Sequence, residues 1–131
     1  MKKAILWAGA AINLALAVFH MFFWKLLNWG EELQKLSALN SGVMQIGNVI
    51  IIFTILYFAV MSVVMSARGT DGVFAKSIIV LIAVFYSIRL FLGYPFFGFN
   101  CEELAIWAVC LAIIIAYLSL LFTREKGKGR I

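Results

Sequence analysis

Four apolar runs, each about long enough to cross a bilayer, follow one another along the chain with only short polar breaks between them. A helix rises about 1.5 Å per residue, so about 20 apolar residues cross a hydrocarbon core of about 30 Å. The runs cover approximately 4–29, 41–65, 76–94 and 102–122, followed by a basic tail at 123–131. Inside lipid a segment must satisfy its own backbone N–H and C=O groups, which selects the α-helix for isolated apolar runs. The expected fold is all-α: a four-transmembrane-helix bundle forming a single transmembrane domain over 1–131. Composition points the same way. At 65% hydrophobic residues in 131 and a mean hydropathy of +1.05, the apolar surface is too large for a water-soluble domain of this size. No soluble catalytic domain is expected beside the four runs within these residues.

The first run opens with Lys2-Lys3 and contains Asn13, His20 and Lys25. Its start, with Ala15-Leu16-Ala17, also fits a secretory signal peptide and cleavage site. Apolar sequence continues past that point through Val18-Phe19 and Met21-Phe22-Phe23-Trp24, and we read the run as the first span, closed by Gly30 as a C-cap. Glu31 to Asn40 reads equally as a short interfacial helix or a loop, with Leu33, Leu36 and Leu39 spaced for the former. Asn40 or Ser41 is positioned to cap the second span. Ser66 to Gly72 is a turn-rich break, Pro95 and Gly98 interrupt the third run, and Glu102 opens the fourth.

The net charge of +5 is dispersed at the ends of apolar runs, a pattern that orients spans and does not indicate a nucleic-acid partner. Lys2, Lys3, Arg68, Lys76, Arg124, Lys126, Lys128 and Arg130 fall on one side. Lys25 and Lys35 flank the other, which also carries Glu31, Glu32, Glu102 and Glu103. The bias places both termini in the cytoplasm (N-in/C-in).

Polar groups inside the spans carry the functional information, because lipid offers them no partner. His20, Asn48, Arg89 and Cys110 fall about 13, 10, 8 and 12 Å below the outer ends of their four runs, in one outer-half layer. Helical spacing groups Gly9, Asn13, Ala17, His20 and Trp24 on the first span and Ser41, Gln45, Asn48 and Ile52 on the second. It groups Tyr86, Arg89 and Gly93 on the third, and Glu103, Trp107, Cys110, Ile114 and Tyr117 on the fourth. If these stripes face inward, they line an outward-opening polar pocket with His20, Gln45, Asn48, Tyr86, Arg89, Glu103 and Cys110 as ligand-binding candidates. The plainer reading is that Asn13, Gln45 and Asn48 bond neighbouring helices, that one of them satisfies His20, and that Arg89 snorkels outward. Arg89 calls for a compensating charge, and Glu102 or Glu103 is close enough in sequence to supply it. Lys25, beside Trp24 and Trp29, reads as an interfacial anchor.

One histidine cannot build a bis-histidine haem or a three-histidine zinc centre in one protomer, and no metal site is expected. Cys101 and Cys110 are expected as free thiols. No phosphate loop, nucleophile elbow, His-Glu-x-x-His or Cys-x-x-Cys is present. Small-residue stripes at Ala11 and Ala15, and at Ala108, Ala112 and Ala116, permit close helix approach within the chain or in an oligomer.

The run His20-Met21-Phe22-Phe23-Trp24-Lys25-Leu26-Leu27-Asn28-Trp29, with Leu39-Asn40 and Met44-Gln45-Ile46-Gly47-Asn48, resembles a group of small uncharacterised bacterial four-helix membrane proteins. The resemblance covers chiefly the first two spans, implies the bacterial cytoplasmic membrane as location, and brings no activity. In span count and size the layout is also similar to DoxX-like membrane proteins, without a residue assignment.

The function expected is binding of a lipid, quinone or other small amphipathic or anionic ligand in the polar pocket, with membrane lipids as surroundings. One alternative is an accessory or structural subunit, in a homo-oligomer or a larger membrane complex. The other is a small membrane enzyme using His20 as acid or base and Arg89 to hold an anion. The sequence specifies no cofactor.

The basic asymmetry makes topology testable with a membrane-impermeant thiol reagent on intact cells. With Cys101 and Cys110 replaced by serine, cysteines introduced near Glu32 or Asn100 should react, and cysteines near Gly69 or Gly127 should not; the opposite pattern reverses the orientation.

Overall fold

The computed structural model describes residues 1–123, so the basic tail and its contribution to the charge bias lie outside the described residues. Four helices are long and apolar enough to cross a membrane. They are α1 (Lys2–Met21), α4 (Ala38–Arg68), α5 (Val73–Phe97) and α6 (Cys101–Phe122). Between α1 and α4 lie two single-turn helices, α2 (Phe23–Leu26) and α3 (Trp29–Glu32), and a 3-10 turn at Leu33–Lys35. The chain is therefore an all-α four-helix bundle among the described residues.

Helix boundaries depart from the sequence-based reading where a stronger local signal intervenes. The first span ends at Met21, well before Trp29, because the chain turns at Phe22 and reverses through Asn28 in the left-handed region at φ 48. Asparagine tolerates that conformation better than most residues, so Asn28 does the work assigned to Gly30. The cap of α4 is Ser37, whose Oγ accepts the Asn40 amide at 3.2 Å, and the helix starts three residues before Ser41. At 31 residues α4 is about 46 Å long, more than a bilayer core, so it is tilted or projects from it. Pro95 sits in the last turn of α5 without ending it. The helix stops at Gly98, at φ 71, and Asn100 caps α6 by accepting the Glu103 amide at 2.8 Å.

The four long helices form two tight antiparallel pairs, α1 with α4 and α5 with α6, and the pairs meet each other over a much smaller surface. That surface lies toward the end holding the N-terminus. Leu6, Met61, Met65, Ile79, Ile82 and Leu120 are buried there in an apolar cluster that continues past mid-height to Phe58 and Ile113. Lys2 closes the same end by donating to Thr70 Oγ1 at 3.0 Å and pairing with Asp71 at 3.3 Å, which puts the N-terminus beside the α4–α5 turn.

Midway along the bundle, one hydrogen-bonded node ties all four helices together. Asn13 of α1 donates to its own helix at Gly9 O (2.8 Å) and to the Tyr117 hydroxyl of α6 (3.2 Å). Its Oδ1 accepts from the Tyr86 hydroxyl of α5 at 2.6 Å. Ser62 of α4 donates to Phe58 O at 2.8 Å and shares a short bond with the Tyr117 hydroxyl. Since the Ser62 proton is committed to Phe58 and the Tyr117 oxygen receives Asn13, Tyr117 donates to Ser62. Every donor in the chain then has an acceptor, which is the condition for a buried polar network to stabilise a bundle. Asn13, Ser62 and Tyr117 have no exposed surface.

Gly9 makes the node possible, because a Cβ there would lie 2.7 Å from Tyr117 Cζ. Gly9→Ala should therefore lower the unfolding midpoint in detergent more than Gly42→Ala, where added volume meets nothing within 4 Å. Tyr117→Phe should cost about 1 to 2 kcal/mol by stranding an Asn13 N–H and the Ser62 acceptor. A Gly9→Ala variant as stable as Gly42→Ala would contradict this packing.

Candidate functional site

The half of the bundle away from the N-terminus, termed the outer half, is built differently from the inner half that holds the N-terminus. Beyond the Asn13 node the two helix pairs diverge, and α4 buries none of its residues before Ile55. Between the pairs lies a cavity of about 520 Å³, lined by α1, α4, α5 and α6 and by Phe23 of α2. Its walls are chiefly hydrocarbon: Leu16, Ile51, Phe85, Leu92 and Val109 are representative. The cavity is thus far more apolar than the polar pocket expected from the stripes, because most polar members of those stripes spend their hydrogen bonds elsewhere.

Of the seven candidate residues, His20, Tyr86, Arg89 and Cys110 line the cavity. Tyr86 contributes its ring, since its hydroxyl is committed to Asn13. Cys110 is a buried free thiol, and Cys101 is an exposed one. His20 accordingly supplies a ring nitrogen: Nδ1 lies 2.8 Å from Leu16 O, and no hydrogen-bond partner from the described residues reaches Nε2. The imidazole is held against Phe23, ring centroids 4.5 Å apart, and edge-on to Phe19 at 5.8 Å.

Gln45, Asn48 and Glu103 do not line it. Gln45 bonds back to Ser41 on its own helix, at the backbone oxygen (3.3 Å) and at Oγ (3.2 Å). Its side chain borders a smaller recess near Trp24, Trp29 and Gln34. Asn48 donates to His20 O at 3.1 Å, tying α4 to the last turn of α1. Asn48 and His20 are therefore neighbours through the backbone and not through the imidazole. Asn48 Oδ1 is buried without a partner among the described residues. Trp24, placed on the inward stripe, is more than half exposed because the chain has left α1 before reaching it. Ala11, Ala15, Ala108 and Ala112 face outward.

Arg89 meets Glu103, one of the two carboxylates expected. The contact is bidentate, Nη2 to Oε1 at 2.7 Å and Nη1 to Oε2 at 3.2 Å, the fork geometry that makes Arg–carboxylate pairs strong. The guanidinium also lies over the Phe97 ring at 5.1 Å. Two features of sequence set this up. Asn100 fixes Glu103 in the first turn of α6, where the helix dipole favours an anion. Gly93 clears the ground, since a Cβ there would stand 2.6 Å from Arg89 Nη1 and 2.8 Å from Glu103 Oε2. Trp107 Nε1 is buried beside the same glycine and has no partner among the described residues.

Among the described residues no group of His, Cys, Asp and Glu is placed to hold a metal ion. The main residue that sequence reasoning missed is Ser62, whose role depends on facing Tyr117 across 55 positions. The chain matches no protein-family model, no curated protein and no solved structure.

Glu103→Gln should leave Arg89 as an uncompensated cation. Glu103 is 8% exposed and Arg89 33%, so the cost should fall between that of a surface and a buried pair, about 2 to 3 kcal/mol by denaturation in detergent. Arg89→Leu with Glu103→Leu should recover most of that loss. A Glu103→Gln protein as stable as the parent would show that the pair contributes nothing.

Proposed function

We propose that this chain is a multi-pass protein of a bacterial cytoplasmic membrane that binds an amphipathic, lipid-class ligand between its two helix pairs. The observation that carries the reading is the cavity of about 520 Å³ with hydrocarbon walls and a polar edge at His20 and Arg89. That volume falls within the range of about 300–1,000 Å³ typical of small-molecule sites, which are mostly apolar with a few orienting polar groups. A hydrocarbon tail gains little by leaving lipid for an apolar cavity, so selection would come from the polar edge and from the fit of the walls. The bacterial location is supported by the resemblance of the first two spans and the inner membrane orientation by the basic asymmetry.

The amphiphile reading differs in outcome from that of an accessory subunit, which would need neither the cavity nor its polar edge. Ala105 lines the cavity and is solvent-accessible, so a larger side chain there fills space without displacing core atoms. The parent protein, released gently from its membrane, should carry a lipid-class adduct of defined mass in native mass spectrometry. Ala105→Trp should lose that adduct while keeping its unfolding midpoint. Absence of any adduct from the parent, or its full retention in Ala105→Trp, would reject the site.

A further inference from the structure

Resting on the cavity reading, the geometry points to a ligand whose head group is uncharged and carries a hydroxyl. Two independent features of the polar edge lead there. The first is charge. Arg89 is already matched by Glu103 through two hydrogen bonds, so the edge presents no net positive charge to an incoming group. A carboxylate or phosphate head would have to displace Glu103, leaving that carboxylate buried without its counter-ion, or else enter as an unmatched anion in an apolar cleft. Both are unfavourable in a low-dielectric setting.

The second feature is the direction of the hydrogen bonds. Leu16 O can only accept, so the His20 nitrogen facing it at 2.8 Å must be Nδ1–H. In the neutral ring that fixes Nε2 as a bare acceptor, on a residue that lines the cavity. An imidazolium would instead add a second cation to the edge, with no carboxylate bonded to it among the described residues. A ligand that offers only acceptors, such as a quinone or an ester, can meet the N–H groups of Arg89 but leaves Nε2 without a donor. A hydroxyl reverses this by donating to Nε2. Its oxygen keeps lone pairs, and Arg89, which lines the same cavity, has guanidinium N–H groups that Glu103 does not occupy. Long-chain alcohols, prenyl alcohols and hydroquinones share this chemistry.

The test uses four probes with the same C18 backbone: oleyl alcohol, methyl oleate, oleate and octadecene. Each competes for the full-length protein in mild detergent, read by native mass spectrometry. Oleyl alcohol should outcompete methyl oleate and octadecene by about tenfold, and oleate should be the weakest of the polar three. His20→Phe should abolish the preference for the alcohol while still binding methyl oleate and octadecene. His20→Gln, which offers both a donor and an acceptor, should bind alcohol and ester alike. Equal binding of all four probes by the parent would overturn the head-group inference and leave the cavity reading standing. Strongest binding by oleate would overturn neutrality, and binding of none would overturn both.

Discussion

Everything in this fold depends on the node at Asn13. An amide in the middle of a membrane span is costly unless all its hydrogen bonds are made, and lipid supplies none. Asn13 makes three, to its own helix, to Tyr117 and to Tyr86, and Tyr117 passes the chain on to Ser62. The four helices are thereby joined at one level. Apolar packing, nearly as available against lipid as against protein, could not fix that level alone. Directional bonds among four helices set both rotation and vertical register, because turning any one helix breaks a bond that has no substitute.

The node also divides the molecule. On its inner side the helix pairs close over a continuous apolar cluster that includes Leu6, Met65, Ile79 and Leu120. On its outer side they separate, and the Arg89–Glu103 pair joins α5 to α6 without reaching α1 or α4. Each pair is held internally at its outer end, α1 to α4 by Asn48 on His20 O and α5 to α6 by the ion pair. No polar contact of the kind found at the node spans the gap between them there, among the described residues. The cavity follows from that arrangement, since two rigid pairs pinned at mid-height and diverging above it enclose space that neither can fill.

Much of this was legible in the sequence. The four spans follow from run length, and the pairing of Arg89 with Glu102 or Glu103 follows from the cost of a lone charge together with a short connection. The inward stripe of α1 through Gly9, Asn13, Ala17 and His20 follows from helical period and is correct over those residues. Legibility ends where an outcome depends on contacts distant in sequence. Gln45 and Asn48 carry the same amide, yet one turns back on its own helix and the other reaches α1; only the approach of α1 separates the two. Ser62 looked like an ordinary small residue because a serine can satisfy itself on the carbonyl four positions back, and it does so here while also receiving Tyr117. The early end of α1 was hidden because Trp24, Leu26 and Leu27 extend the apolar run beyond the helix, into a region where amphipathic side chains serve an interface equally well.

A binding site between the helix pairs must stay open to a ligand, whereas a packing gap is closed by lipid or side-chain motion. A crystal structure grown from a lipidic phase with a terminally brominated long-chain alcohol separates the two, since bromine marks the tail by anomalous scattering. For a binding site, an anomalous peak should appear enclosed by Ile51, Phe85 and Val109, with density for the head group beside His20 Nε2. Helix pairs collapsed onto each other with that space filled by side chains, or bromine found only on the outward faces of the helices, would contradict it.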